Sequence, residues 1–279
     1  MWCRLQVSTT LRSFGLTAAV PATPAMIDED EFGSDELIVI GADSECSYLP
    51  GRTSRFEYRR TFFLSCERFE SLLERGWRRF GRTFFRPVCG SCRECRSLRI
   101  VLPEVKLTKS QRRCRSRNSD VRVVVQPPSM TADHIRLYND YHRDMHERRG
   151  WPFRETTPDE YYAAFIDGEF EFSREFLYFR DDRLIGVGMV DMTDRVQSSI
   201  YFIHDPQWRD RGPGTFSILS EIEIGRAAGR DYQHMGYYIR DCGSMSYKNR
   251  FRPHQFLRDF VSGTDSPIWE YPMSDERPD

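Results

Sequence analysis

No stretch of this chain approaches the roughly 20 consecutive apolar residues that span a bilayer, so nothing in it reads as a transmembrane helix. It contains no G-x-S-x-G, no Walker loop and no G-x-G-x-x-G. Hydrolase, nucleoside triphosphatase and dinucleotide-binding readings therefore lack their usual support. It has no internal repeat and no low-complexity tract. His142 and His146 lie one turn apart on a helical stretch, but position 143 is Arg where a zinc protease needs Glu. Those two read as surface or core histidines. Acid is scarce in one place above all. From Arg75 to Arg117 there are fourteen Lys or Arg and two acids, Glu94 and Glu104, so the segment carries about +12 in a chain of net charge −1.

Inside that segment sit Cys89, Cys92 and Cys95 at CxxCxxC spacing. Thiols two residues apart on a tight loop converge on one soft metal or one iron–sulfur cluster. A metal knuckle in so positive a field points to a polyanionic partner, nucleic acid first. The plain alternative is a solvated basic face beside buried structural thiols. Eight cysteines would also allow disulfides, but this motif in a chain of 279 residues without a credible export signal fits a reducing compartment and a metal. The expected location is the cytoplasm. Cys3, Cys66, Cys114 and Cys242 read as isolated thiols.

The length allows two domains with real cores. The first 25 residues have a basic start and a short apolar part, Phe14 to Val20, broken by Gly15 and Thr17. We read them as a disordered extension, or as sequence upstream of a start at Met26, rather than as a signal peptide. An acidic lead-in follows, so residues 1–35 are expected to lie outside the folded part. Leu37 to Ile40 and Glu57 to Leu64 read as strands, with a Pro-Gly turn before Arg52. Ser65 to Gly76 reads as a helix with Phe69, Leu72 and Leu73 on one side. A strand at Leu98 to Leu102, a short basic helix at Ser110 to Asn118 and a strand at Val121 to Val125 end at Pro127-Pro128. We place a domain boundary there, making 36–128 a cysteine-rich basic domain.

The second half, 129–260, has another texture, and 261–279 is a tail. Thr131 to Arg148 reads as a helix with Ile135, Tyr138, Tyr141 and Met145 in a stripe. A second helix spans Asp159 to Ile166. Strands follow at Phe176–Phe179, Leu184–Met192 and Ser198–His204, then a loop, a helix from Thr215 to Ala228 and a strand from Met235 to Arg240. This is the element order of an acetyltransferase-like (GNAT-like) fold. The class is α+β: a cysteine-rich N-terminal α/β domain followed by a mixed-sheet domain.

Two further motifs carry chemistry. Arg209-Asp-Arg-Gly212-Pro-Gly214 opens the long helix with an R-x-x-G-x-G spacing. Glycines there free backbone N–H groups for an anion, as in the acyl-CoA pyrophosphate loop; a tight structural turn is the alternative. Tyr247-Lys248-Asn-Arg250-Phe-Arg252-Pro253 alternates cations and aromatics after the last strand. Such a strip suits a carboxylate or a phosphate backbone; otherwise it is a solvated arm.

Four ordered stretches together resemble a known family, the bacterial aspartate/glutamate leucyltransferases, relatives of the eukaryotic arginyl-tRNA–protein transferases. They are Cys46-Ser-Tyr-Leu-Pro-Gly-Arg52; Phe85-Arg-Pro-Val-Cys89-Gly-Ser-Cys92-Arg-Glu-Cys95; Ser110-Gln-Arg-Arg113 with Arg117-Asn118; and Gly236-Tyr-Tyr-Ile239 followed by Tyr247 to Pro253. The resemblance covers roughly residues 40 to 255. It implies transfer of Leu or Arg from charged tRNA to the N-terminus of proteins beginning with Asp or Glu, which marks them for degradation under the N-end rule. One departure is Gly212-Pro-Gly214, where relatives are expected to carry a Ser-Leu-Gly-like step. The N-terminal extension also lies outside the family pattern.

An aminoacyl ester is already activated, so aminolysis needs no covalent enzyme intermediate and no organic cofactor. The α-amine has a reference pKa of about 7.7–8.0 and needs only weak base assistance. Asp205, Tyr237 and Asp241, near strand ends, are the candidate bases or proton relays. Arg112, Arg113 and Arg117, with Arg209, Gly212 and Gly214, are the candidate tRNA contacts. Arg52, Lys248, Arg250 and Arg252 are the candidate acceptor-binding cations, Lys248 and Arg250 foremost. Cys46, Cys89, Cys92 and Cys95 are expected to hold zinc or a [4Fe–4S] cluster. The rival functions are an acyl-CoA N-acetyltransferase and a non-enzymatic metal-knuckle RNA-binding protein.

Overall fold

The computed structural model describes residues 37–261, 263 and 265–273. The expectations for the N-terminal extension, and for the end of the tail, lie outside the described residues. The first unit contains β1 (Leu37–Ile40), β2 (Ser44–Glu45), β3 (Thr53–Ser54), β4 (Phe56–Arg60), α1 (Cys66–Glu74), β5 (Arg78–Phe80) and β6 (Thr83–Pro87). Four of these strands form an antiparallel sheet in the order β1-β4-β6-β5. β2 and β3 pair around the Cys46–Arg52 turn, which closes with the Cys46 N–H donating to the Arg52 carbonyl at 2.7 Å.

Ser65 caps α1 by accepting from the Arg68 N–H. The helix buries Phe69, Leu72 and Leu73, as their spacing predicts, against Trp77, Phe84, Phe170 and Phe172. The rings of Phe69 and Phe172 stack at 4.0 Å. Each such fully buried side chain contributes about 1.5–3 kcal/mol, so this cluster ties the first unit to the segment carrying Phe170 and Phe172.

The second sheet has eight strands in the order β14-β13-β7-β12-β11-β10-β9-β8. Its elements are β7 (Arg96–Val101), α2 (Lys109–Arg117), β8 (Arg122–Gln126), α3 (Ala132–Arg149), α4 (Pro158–Phe165), β9 (Ser173–Arg180), β10 (Arg183–Met192), β11 (Val196–His204), α5 (Pro213–Ala227), β12 (Tyr232–Tyr238), β13 (His254–Leu257) and β14 (Trp269–Glu270). β7 and β8 precede Pro127-Pro128, yet β7 lies between β13 and β12 and β8 forms one edge. The boundary read at those prolines thus falls between strands of a single sheet. Two prolines announce a turn, but they do not say which strands pair across it.

Side chains of β9 alternate between two cores. Phe176 and Tyr178 join α5, while Leu177 joins α3 and α4. α5 is the crossover that makes β11 and β12 parallel. These two strands pair only at Val196↔Tyr232, Gln197↔Gln233 and Ser198↔His234, then part. Two helices, an antiparallel meander, a loop, a helix and a parallel strand reproduce the acetyltransferase-like order.

Candidate active site

Where β11 and β12 part, the sheet leaves a cavity of about 70 Å³. Its walls are Ser199 to Phe202 of β11, Met235 to Tyr237 of β12, and Ser217, Ile218 and Glu221 of α5. Arg78, Arg79 and Phe80 of β5 close it from the first unit, and Met245, Tyr247 and Lys248 close it from the short helical turns at Gly243–Ser246 and Tyr247–Arg250. Both halves of the chain therefore build one site.

Two glycines allow the approach. Gly225 lets α5 lie against β11, because a Cβ there would meet the Gln197 amide at 2.5 Å. Gly236 has φ +75 and sits where a Cβ would meet Arg78 Nε at 2.9 Å. It also marks a break in register between β12 and β7, as glycine-bearing bulges do.

The polar groups of the cavity are linked. Arg78 donates from Nη1 to the Ser198 hydroxyl at 2.6 Å and from Nη2 to the Ser199 carbonyl. No carboxylate among the described residues forms an ion pair with it. Its neighbour Arg79 is instead committed to buried Asp191 and Ser173. The Ser199 hydroxyl donates to Glu221 Oε2, and Gln233 Nε2 donates to the same oxygen at 2.7 Å and to Ser199 Oγ at 3.0 Å. Gln197 supports Gln233 through Nε2 to Oε1 at 3.0 Å. Burial pushes the Glu221 carboxyl up to about 7. Lys248 donates to the Tyr237 carbonyl at 2.6 Å, and burial pushes its ammonium down to about 7.

Of the three base candidates, only Tyr237 lines the cavity. Its hydroxyl is shared between the Gly76 and Phe85 carbonyls, each at 3.1 Å. Asp205 is buried elsewhere: it accepts from the Gln207 N–H and pairs with Arg183. Asp241 is exposed and outside the cavity lining. Of the acceptor cations, only Lys248 reaches the cavity. Arg52 is exposed beside Cys92, Arg250 is exposed, and Arg252 donates to the Asn249 carbonyl at 3.4 Å. Arg78, Ser199 and Glu221 escaped the sequence reading. The available signal was in α5, where Ser217 and Glu221 stand one turn apart among apolar residues.

The glycine loop is engaged internally. Arg209 bonds Asp144, and Arg211 bonds Asp120 and the Arg117 carbonyl. Pro213 has no N–H, and Gly212 packs against Cys114 of α2 through its carbonyl. Arg112, Arg113 and Arg117 by contrast are exposed on α2. Gln111, on the buried side of that helix, donates to the Arg250 main-chain carbonyl at 3.1 Å and ties α2 to the turns bordering the cavity. His142 stacks on Tyr138 at 4.0 Å and bonds the Tyr138 carbonyl and the Tyr201 hydroxyl, while His146 bonds the Trp151 carbonyl. Burial pushes His142 down to about 4, so the ring is neutral, as a core histidine.

The cysteines gather beside the site. Cys46 and Cys95 pack with Tyr48, Ile239, Cys242 and Met245, and Tyr48 and Met245 also line the cavity. Cys46 Sγ accepts from the Tyr48 and Leu49 N–H groups at 3.4 Å, and Cys89 Sγ from the Arg55 N–H at 3.5 Å. Burial, then the charges of Cys46, Cys89, Cys92 and Cys242, push the Cys95 thiol far up. Among the described residues no group of three or more metal-binding side chains has the arrangement of a formed site.

The family model for the N-terminus of arginine-tRNA-protein transferases matches residues 44–113, and that for the C-terminus matches residues 133–258. The aspartate/glutamate leucyltransferase of Helicobacter hepaticus is 37% identical over 81% of this chain and 93% of its own length. That of Campylobacter jejuni is 37% identical over 77% and 90%. A solved structure of FemX superposes with a TM-score of 0.41 at 9% identity, over 64% of this chain and 62% of that one.

Proposed function

The chain belongs to the arginine-tRNA–protein transferase family and is an aminoacyl-tRNA–protein transferase, and from that membership we propose that it joins leucine from leucyl-tRNA to the N-terminus of proteins beginning with Asp or Glu. The observation that carries the acceptor assignment is Arg78, a cation on the cavity wall that lacks a carboxylate partner among the described residues. A side-chain carboxylate of the acceptor supplies one. Lys248 adds a second donor, and a Lys or Arg side chain there would meet like charge. Leucine is preferred over arginine because the relatives bear leucyltransferase names.

The amine attacks the ester carbonyl, the C–N bond forms and the bond to the ribose oxygen breaks. Alignment of amine and ester supplies most of the acceleration, up to roughly 7–11 kcal/mol. Arg112, Arg113, Arg117 and Arg250, all exposed, contact tRNA phosphates in this reading. Arg209, Gly212 and Gly214 are held in internal contacts, and with Pro213 beside them this also counts against an acyl-CoA pyrophosphate site.

Cys46, Cys89, Cys92 and Cys95 hold a soft metal in this reading. The donor set fits: four thiols suit a soft cation, and N–H groups already point at Cys46 and Cys89. Such a cation would brace the wall formed by Tyr48 and Met245. The test offers one Asp-initiated peptide labelled leucyl-tRNA or labelled acetyl-CoA. Label from the tRNA alone supports the reading; label from acetyl-CoA alone overturns it.

A further inference from the structure

We propose that Glu221 is the catalytic base of the transfer, taking a proton from the acceptor's α-ammonium through its free oxygen, with Ser199 and Gln233 as positioning residues. This rests on the functional reading above and names how the same cavity handles protons.

The geometry separates the two carboxylate oxygens. Oε2 receives both the Ser199 hydroxyl and the Gln233 amide. Oε1 has no hydrogen bond among the described residues, although Glu221 lines the cavity and is 2% exposed. A buried carboxylate on a cavity wall with one unused oxygen is poorly explained as a strut alone. Nor is it an ion-pair partner, since no cation among the described residues pairs with it. The groups facing it are Arg78 from β5, Lys248 from the turns, Tyr237 from β12, Tyr178 from β9, Tyr201 from β11 and Tyr247. The tyrosines are neutral, pushed up by burial.

The arrangement matches the acceptor's two charges. An N-terminal Asp or Glu brings a carboxylate, which Arg78 receives, and an ammonium, which Glu221 receives. Ser199 stands between them, carbonyl toward Arg78 and hydroxyl toward Glu221. The protons balance. Of the ammonium's three hydrogens, one passes to Glu221 Oε1 and frees the lone pair. One stays on the new amide nitrogen. One moves to the departing ribose oxygen when the ester C–O bond breaks. Glu221 then returns its proton to solvent. Burial places this carboxyl near the acceptor amine's own range of about 7.7–8.0, where a base works best.

The experiment measures kcat/KM against pH for Glu221→Gln, Glu221→Asp and Ser199→Ala with leucyl-tRNA and an Asp-initiated peptide, alongside leucyl-tRNA binding. Glu221→Gln is expected to lose at least about 100-fold, to bind tRNA as the wild type does, and to retain only the rise belonging to the peptide amine. Glu221→Asp should restore part of the rate with a displaced lower limb, and Ser199→Ala should shift that limb. Wild-type pH profiles in Glu221→Gln and Ser199→Ala, or a loss confined to KM, overturn the assignment. If Glu221→Gln does not fold, the limb of Ser199→Ala decides. A wild-type protein that transfers nothing to Asp- or Glu-initiated peptides overturns the functional reading first and this inference with it.

Discussion

Arg78 and Glu221 face one cavity without forming an ion pair, and Ser199 stands between them with its carbonyl to the first and its hydroxyl to the second. Buried charges are usually paired with one of opposite sign. The separation of these two leaves each available to a substrate group of opposite sign.

Arg78→Ala should raise KM for Asp- and Glu-initiated peptides by about 10- to 150-fold, the worth of a lost charge-assisted contact of about 1.5–3 kcal/mol. Arg78→Lys should recover little, because a point charge does not reproduce the guanidinium fork. Steady-state transfer assays check this, with tRNA binding as the control. An equal loss of tRNA affinity would move Arg78 out of the acceptor subsite.

Gly236→Ala should cost about 1–2 kcal/mol of stability, since φ is +75 and other residues resist the left-handed region. It should also raise the peptide KM, because the new methyl meets Arg78 Nε. Denaturant unfolding and the transfer assay read the two effects separately. Lost stability with an unchanged KM would mean that Arg78 does not hold the acceptor.

Charge reversal at Arg113, which is exposed and has no partner among the described residues, should weaken tRNA binding and lower its salt slope by about 1. Arg209→Ala should leave the slope unchanged, because Asp144 already holds that guanidinium. Binding titrations at several salt concentrations check both.

Glu221 also makes a stability prediction. Its folded pKa of about 7 exceeds the ordinary 4.5, so folding favours the protonated form. Its contribution is full below pH 4.5 and is lost as pH rises through 7, about 3 kcal/mol in all. Lys248 acts in the opposite sense: with a folded pKa of about 7 against 10.5, its contribution is present above 10.5 and lost as pH falls through 7. Unfolding free energies of Glu221→Gln should therefore gain on the wild type between pH 5 and 8. A constant difference would mean that the carboxyl is not buried as described.

The sequence showed more of the elements than of their partnerships. Ser65 and the Phe69-Leu72-Leu73 spacing placed α1 well, because a cap and a 3.6-residue stripe are local signals. β5 and β6 were missed: their arginines read as a basic block, whereas Arg79 and Arg86 are tied to Asp191 and Glu57. Distant acids cannot be seen in a local charge count. β7 looked like a strand of the first half but pairs with β12 and β13, 130 or more residues later. Lys248 was singled out because its motif is compact. Glu221 was not, because its place in the cavity depends on β5, β11 and β12 meeting around it.

The measurement that tests the account most directly is transfer from separately charged leucyl-tRNA and arginyl-tRNA to peptides differing only in their first residue: Asp, Glu, Lys or Arg. The account predicts leucine on the Asp and Glu peptides, and little on the Lys and Arg peptides. Preference for Lys- or Arg-initiated peptides, or no transfer from either tRNA, would contradict it.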